Sequence, residues 1–141
     1  MSKLLKRLQD PARSGVYRTV RVDEIAEALQ GSKVALMRLP PLEGEKTDLL
    51  RTIAKALDFP AWFGENWDAL EDCLTDLSWR EAAGHVLVFE GIGALPLDER
   101  GTLVDVLASA AQFWAQQGKP FFAVFIDPGR ALELPELFRE A

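Results

Sequence analysis

Cysteine, histidine and tyrosine are nearly absent from this chain, each occurring once in 141 residues. With Cys73 alone no intrachain disulfide can form, which fits a reducing compartment. One cysteine and one histidine, His85, are too few for a Cys/His zinc cluster. No apolar run approaches the roughly 20 residues of a membrane span. The N-terminal stretch MSKLLKRLQDPARSG is basic and amphipathic and lacks the continuous apolar core of a secretion signal. These absences point to a soluble, cytoplasmic protein with no membrane partner. Internal repeats, low-complexity tracts and long linkers are also missing. The length suits one domain, residues 1–141, and the 48% hydrophobic content is enough for a core without disulfides or metal.

The most informative absence is local. From Ala56 to Trp79 there is no Lys or Arg, while Asp58, Glu65, Asp68, Glu71, Asp72 and Asp76 all fall inside the window. Removing those six from the 22 acids leaves 16, against 16 bases, so this window holds the whole net charge of −6. A surface of that sign cannot neutralise phosphates, which argues against direct nucleic-acid binding there. It calls for a basic partner or a cation.

Elsewhere, strand and helix patterns alternate. Residues 2–9 read as a short helix stopped by Asp10-Pro11, and Val16 to Val20 as a short strand. Asp23 can cap a helix running to about Gln30, with Gly31 after it. The run 33-KVALMRL-39 is apolar enough to suggest a strand buried on both faces. Thr47 opens a helix with Leu49, Leu50, Ile53, Ala54 and Leu57 at helical spacing, ended by Pro60. A third helix is expected from about Asn66 to Leu77. Then come the strand 85-HVLVFE-90, a long helix over 97–117, and the strand 121-FFAVFI-126. A turn at Asp127-Pro128-Gly129 and a short helix over 135–140 complete the chain. The expected fold class is α/β: a small, mainly parallel, three- to four-stranded sheet packed with helices, joined by right-handed crossovers. The strand VYRTV is the possible fourth, at an edge.

Within 58-DFPAWFGENWDALEDCLTDLSW-79, a 100° step per residue puts Asp68, Asp72 and Asp76 within a sector of roughly 80° from Glu65. Leu70, Cys73, Leu74 and Leu77 fall opposite, as a core face. A solvated charged face is the simplest reading. Asn66 can serve as N-cap, and Glu65 and Asp68 suit a helix N-terminus. That explanation covers only the first turn. No cation lies at i±3 or i±4 of Asp72, and like charges at that spacing cost about 0.2–0.5 kcal/mol per pair. Trp62 and Phe63 lie just before the helix. One of them is expected in the core, and the other beside the acids has the character of an interface anchor. Gly64 would allow a positive φ or the close approach of a partner. Aromatic, acid and glycine together suit a surface rich in Arg and Lys.

The run 61-AWFGENWDALEDCLT-75 resembles the motif of the barstar family, intracellular inhibitors of small secreted ribonucleases. The pattern is an aromatic pair, Gly-Glu-Asn, one residue, Asp-Ala-Leu, one residue, Asp-Cys-Leu-Thr, and every fixed position is filled. The order of surrounding elements also agrees, over about residues 33–126, leaving 1–32 and 127–141 as extensions. The resemblance implies a barstar-like fold, a basic small ribonuclease as partner, no cofactor and no catalytic residue of its own. It implies that Asp72 stands in for an RNA phosphate with Asp68 in support, and that Trp62, Phe63, Gly64, Asn66, Glu71, Thr75 and Asp76 complete the binding surface. The chain departs from the family at three places. Glu71 replaces a tryptophan, Trp62 and Phe63 replace two tyrosines, and 110-AAQFWAQQG-118 lacks an acid that the family carries late in its long helix.

Two other classes fit less of the chain. An acidic module could bind a basic protein that is not a nuclease. Asp68 and Asp72, with Glu65, could hold a divalent cation. An enzyme is disfavoured because His85 opens an apolar strand and Cys73 lies on a core face with no histidine nearby in sequence to activate it.

Overall fold

The two most apolar strands take the centre of the sheet. In a computed structural model, which describes residues 3–41, 45–61, 63–91, 96–129 and 132–138, β3 (Gly84–Phe89) and β4 (Phe121–Ile126) pair with each other, and both are buried almost throughout. β1 (Gly15–Thr19) adds to the free side of β4 and β2 (Val34–Leu39) to the free side of β3. The order is β1-β4-β3-β2 and all three pairings are parallel. Parallel neighbours require crossovers, and helices supply them: α2 (Val22–Leu29) after β1, α3 (Lys46–Ala56) and α4 (Trp67–Leu74) between β2 and β3, and α5 (Leu97–Gln116) between β3 and β4.

Alternation along the central strands sorts the core into two layers. Leu87, Phe89, Phe121, Ala123 and Phe125 face α3, α4 and α5. Val86, Val88, Phe122 and Val124 face α2 and the short α1 (Lys3–Leu8). Phe89 and Phe125 stack across the strand pair at 4.7 Å. Helices therefore cover both faces, as a parallel sheet needs.

Three expectations change. β2 is not buried on both faces: as an edge strand its residues Ala35, Leu36 and Met37 are half-buried and Arg38 is exposed, paired with Glu90 at 2.8 Å. α2 starts at Val22, so Asp23 lies in its first turn and Arg21 occupies the N-cap without a side-chain hydrogen bond. The described part of 135–140 is not helical. Glu136 instead bridges in parallel to Arg18, with the Arg18 amide donating to the Pro135 carbonyl at 2.9 Å and the Leu137 amide to the Arg18 carbonyl at 3.0 Å. The C-terminal strap thus covers the outer edge of β1, where unpaired backbone would otherwise face solvent.

Candidate functional site

The site is built on α4. Asn66 caps it: its Oδ1 accepts from the Ala69 amide at 2.8 Å, while its Nδ2 donates to the Gly64 carbonyl at 3.3 Å. Replacing Asn66 with alanine is expected to lower stability by about 1 kcal/mol in denaturant melts, the usual cost of losing such a cap. Leu70, Cys73 and Leu74 are fully buried, so the core face predicted by periodicity is the observed one. The Trp114 indole N–H on α5 donates to the Leu74 carbonyl at 2.7 Å. The Thr75 hydroxyl donates to the Glu71 carbonyl at 2.8 Å. The first satisfies a carbonyl that a helix C-terminus leaves open, while the Glu71 carbonyl also accepts from the Thr75 amide at 3.0 Å.

The acids divide into two groups. Asp58 and Glu65 are each held by an arginine remote in sequence, Arg80 at 2.8 Å and Arg51 at 2.8 Å. Among the described residues, Asp68, Glu71, Asp72 and Asp76 have no cation within ion-pairing distance. Asp68 and Asp72 are exposed on α4, and Glu71 is half-buried. Asp72 lies in the last turn, where a carboxylate faces the negative end of the helix dipole, and no basic residue is present there. Asp68, one turn back, repels it. Local energetics therefore oppose an acid at position 72.

The four-membered stripe expected from the helical wheel is reduced. Glu65 precedes the helix and its carboxylate is turned to Arg51. Helix α4 ends at Leu74, so Asp76 is exposed in the following turn rather than on the helix. Gly64 does not use a positive φ. That conformation falls on Glu65, with φ 54°. A Cβ at position 64 would sit 3.3 Å from the Asn66 Nδ2, so a side chain there would press on the cap. Phe63 is half-buried, edge-on to Phe59 at 5.0 Å and packed on the core. Trp62 lies outside the described residues.

Sequence reasoning missed the arginines because Arg51 and Arg80 lie outside the acidic window. It also passed over Trp67, half-buried at the start of α4 with the Lys46 ammonium 5.9 Å from its ring. The aromatic followed by the first acid, 67-WD-68, was the available signal.

Cys73 and His85 are both buried. Burial pushes the Cys73 thiol up to about 11, with Asp72 and then Asp76 adding to the effect. A maleimide or disulfide reagent at pH 8 should leave Cys73 unmodified until the fold is opened with denaturant. Burial, then the charges of Arg80 and Lys119, lowers His85 to about 4, so it is a neutral packed side chain at pH 7. Among the described residues, no three His, Cys, Asp or Glu side chains are placed to share a metal ion. No helix of the described residues is long and apolar enough to cross a membrane.

The Barstar (barnase inhibitor) family profile matches residues 44–126, more than half of the chain. The chain belongs to the barstar family. The barstar match runs from just before α3 to the end of β4 and takes in all of α4. It starts after β2, later than the residue 33 expected from element order. Comparison with curated proteins gave no match. Barstar-family proteins are inhibitors rather than enzymes, and the four-stranded parallel sheet with helices on both faces agrees with the family's α/β fold.

Proposed function

We propose that this protein is a cytoplasmic inhibitor of a small, basic bacterial ribonuclease, acting as one domain over residues 1–141 and without catalysis of its own. In this reading α4 and the loop before it fill the enzyme's active site. The Asp72 carboxylate takes the place of an RNA phosphate against Arg, Lys and His side chains, with Asp68 beside it. Phe63, Gly64, Asn66, Glu71, Thr75 and Asp76 form the surrounding contact, and Trp62 belongs to it by its place in the motif.

One observation carries the reading. Asp72 is exposed and without a cation among the described residues, at a helix end where both the dipole and Asp68 oppose it. A carboxylate kept where it costs stability is well explained by a partner that neutralises it. Asn66 and Thr75 enter mainly through the shape of α4, since their polar groups are bonded within it.

The test is an RNA-cleavage assay with a small basic secreted ribonuclease. The purified protein should abolish cleavage at near-stoichiometric ratio. Its association rate should fall steeply as salt rises from 50 mM to 500 mM, because exposed charges steer the encounter. Unchanged cleavage at tenfold excess of the protein, across a panel of such enzymes, would sink the proposal. Capture of a basic protein without nuclease activity would favour a general acidic interaction module instead.

A further inference from the structure

Among the described residues, every non-glycine residue with positive φ lies in the acidic window from Ala56 to Trp79: Asp58 at 53°, Glu65 at 54° and Leu77 at 49°. Such backbone is disfavoured for a residue with a side chain and persists where surrounding contacts impose it. The first two bracket the loop that leads into α4, and among the described acids of that window theirs are the two carboxylates that arginines hold. Arg80 reaches Asp58 from beyond α4, and Arg51 reaches Glu65 from α3. Between them the Phe59 amide donates to the Ala54 carbonyl at 2.9 Å and the Phe63 amide to the Pro60 carbonyl at 3.1 Å. The loop is thus a built element with a clamp at each end.

The Arg51 clamp sits beside the proposed contact surface. Glu65 immediately precedes Asn66, the N-cap of α4, so its backbone angle sets how the loop joins the helix. The pair is exposed, with the two side chains 63% and 42% accessible, so its hold is modest. A modest hold set against a disfavoured backbone leaves the loop's conformation sensitive to one side chain.

We infer that Arg51 is a positioning residue: by holding the Glu65 carboxylate it keeps residue 65 left-handed and so fixes the loop at Phe63 relative to the acids of α4. This rests on the inhibitor reading, and it adds a prediction that electrostatics alone would not make. Removing a cation beside an acidic face should leave the association rate with a basic partner unchanged or faster. Loosening the loop should speed dissociation.

The experiment measures binding kinetics for parent, Arg51→Gln, Glu65→Gly and the double variant against a small basic secreted ribonuclease. In parallel it follows amide hydrogen exchange at Phe63 and Ala69 in the free proteins. Arg51→Gln should raise the dissociation rate about two- to fivefold, the scale of an exposed ion pair, without lowering the association rate. It should also speed exchange at both amides. Glycine adopts the left-handed backbone without steric cost, so adding Arg51→Gln to Glu65→Gly should change dissociation no further. Equal loss from Arg51→Gln in both backgrounds would mean that Arg51 acts directly on the partner and would overturn the inference. Unchanged exchange at Phe63 and Ala69 in Arg51→Gln would overturn it as well. If the parent binds no ribonuclease, the inhibitor reading fails, and the exchange measurement alone decides whether Arg51 holds the loop.

Discussion

Asp72→Ala should weaken ribonuclease inhibition by at least about 30-fold while leaving the protein as stable as the parent or slightly more so. The two halves have separate causes. In the complex the carboxylate is desolvated against cationic groups, and truncating one side of such a pair costs roughly 2–5 kcal/mol because the partner charges are left uncompensated. Barstar-family complexes are themselves a reference system for that scale, so the figure is the general expectation rather than a result of this structure. In the free protein the same carboxylate has no cation among the described residues and sits in the last turn of α4, one turn after Asp68. Alanine removes the repulsion and the clash with the dipole and has the best helix propensity, so a gain of about 0.5 kcal/mol is expected. Inhibition titrations and thermal melts on one preparation check both. Parental inhibition by Asp72→Ala would show that position 72 is not the phosphate mimic. Lost inhibition together with a large drop in melting temperature would mean that the side chain supports the fold instead.

The parts of the fold that depend on local pattern were legible. The runs HVLVFE and FFAVFI read as buried strands and are the central pair. The Leu70, Cys73, Leu74 spacing named the buried face of α4. VYRTV was placed at an edge and lies there. What failed depends on neighbours distant in sequence. The Val-Ala-Leu-Met run of KVALMRL reads as a buried strand, but β2 takes an edge, and edge position follows from topology rather than from the strand's own residues. The 135–140 segment contains good helix formers, yet the Pro135 carbonyl and Leu137 amide bond to the backbone of Arg18, and tertiary pairing overrides propensity. In the site, a helical wheel assumes regular backbone. It misplaced Glu65, which precedes the helix, and Asp76, which follows it, while it placed Asp68 and Asp72 correctly. The partners of Glu65 and Asp58 come from 14 and 22 residues away, and no spacing rule finds them.

The second large effect lies at the C-terminal strap, where Arg18→Leu should lower stability by about 2–4 kcal/mol. Arg18 is only 8% exposed, on the outer strand of the sheet. Its Nη1 donates to Glu136 at 3.1 Å, its Nη2 donates to the Asp127 carbonyl, and its Nε lies 3.8 Å from the Asp127 carboxylate. Thr19 donates to the other Glu136 oxygen at 3.0 Å. The residue thus holds the strap through both its side chain and its backbone. Leucine keeps the backbone bonds and the bulk, but it strips a guanidinium from the mostly buried Asp127 and Glu136 carboxylates, and weakening the compensation of buried charge is costly. For a protein of this size the loss corresponds to a fall in melting temperature on the order of 10 °C. Arg18→Lys, which keeps the charge but not the planar fork, should fall between leucine and the parent. Loss of the strap would also bare the edge of β1, so the leucine variant should aggregate on heating where the parent melts cleanly. Among the described residues Arg18 has no hydrogen bond or ion pair to residues 58–76, so inhibition measured at 15 °C should stay at the parental value. A fall of less than 2 °C would show that the backbone bonds hold the strap unaided. Weakened inhibition at 15 °C would show that the two ends of the chain are coupled to α4 through the sheet.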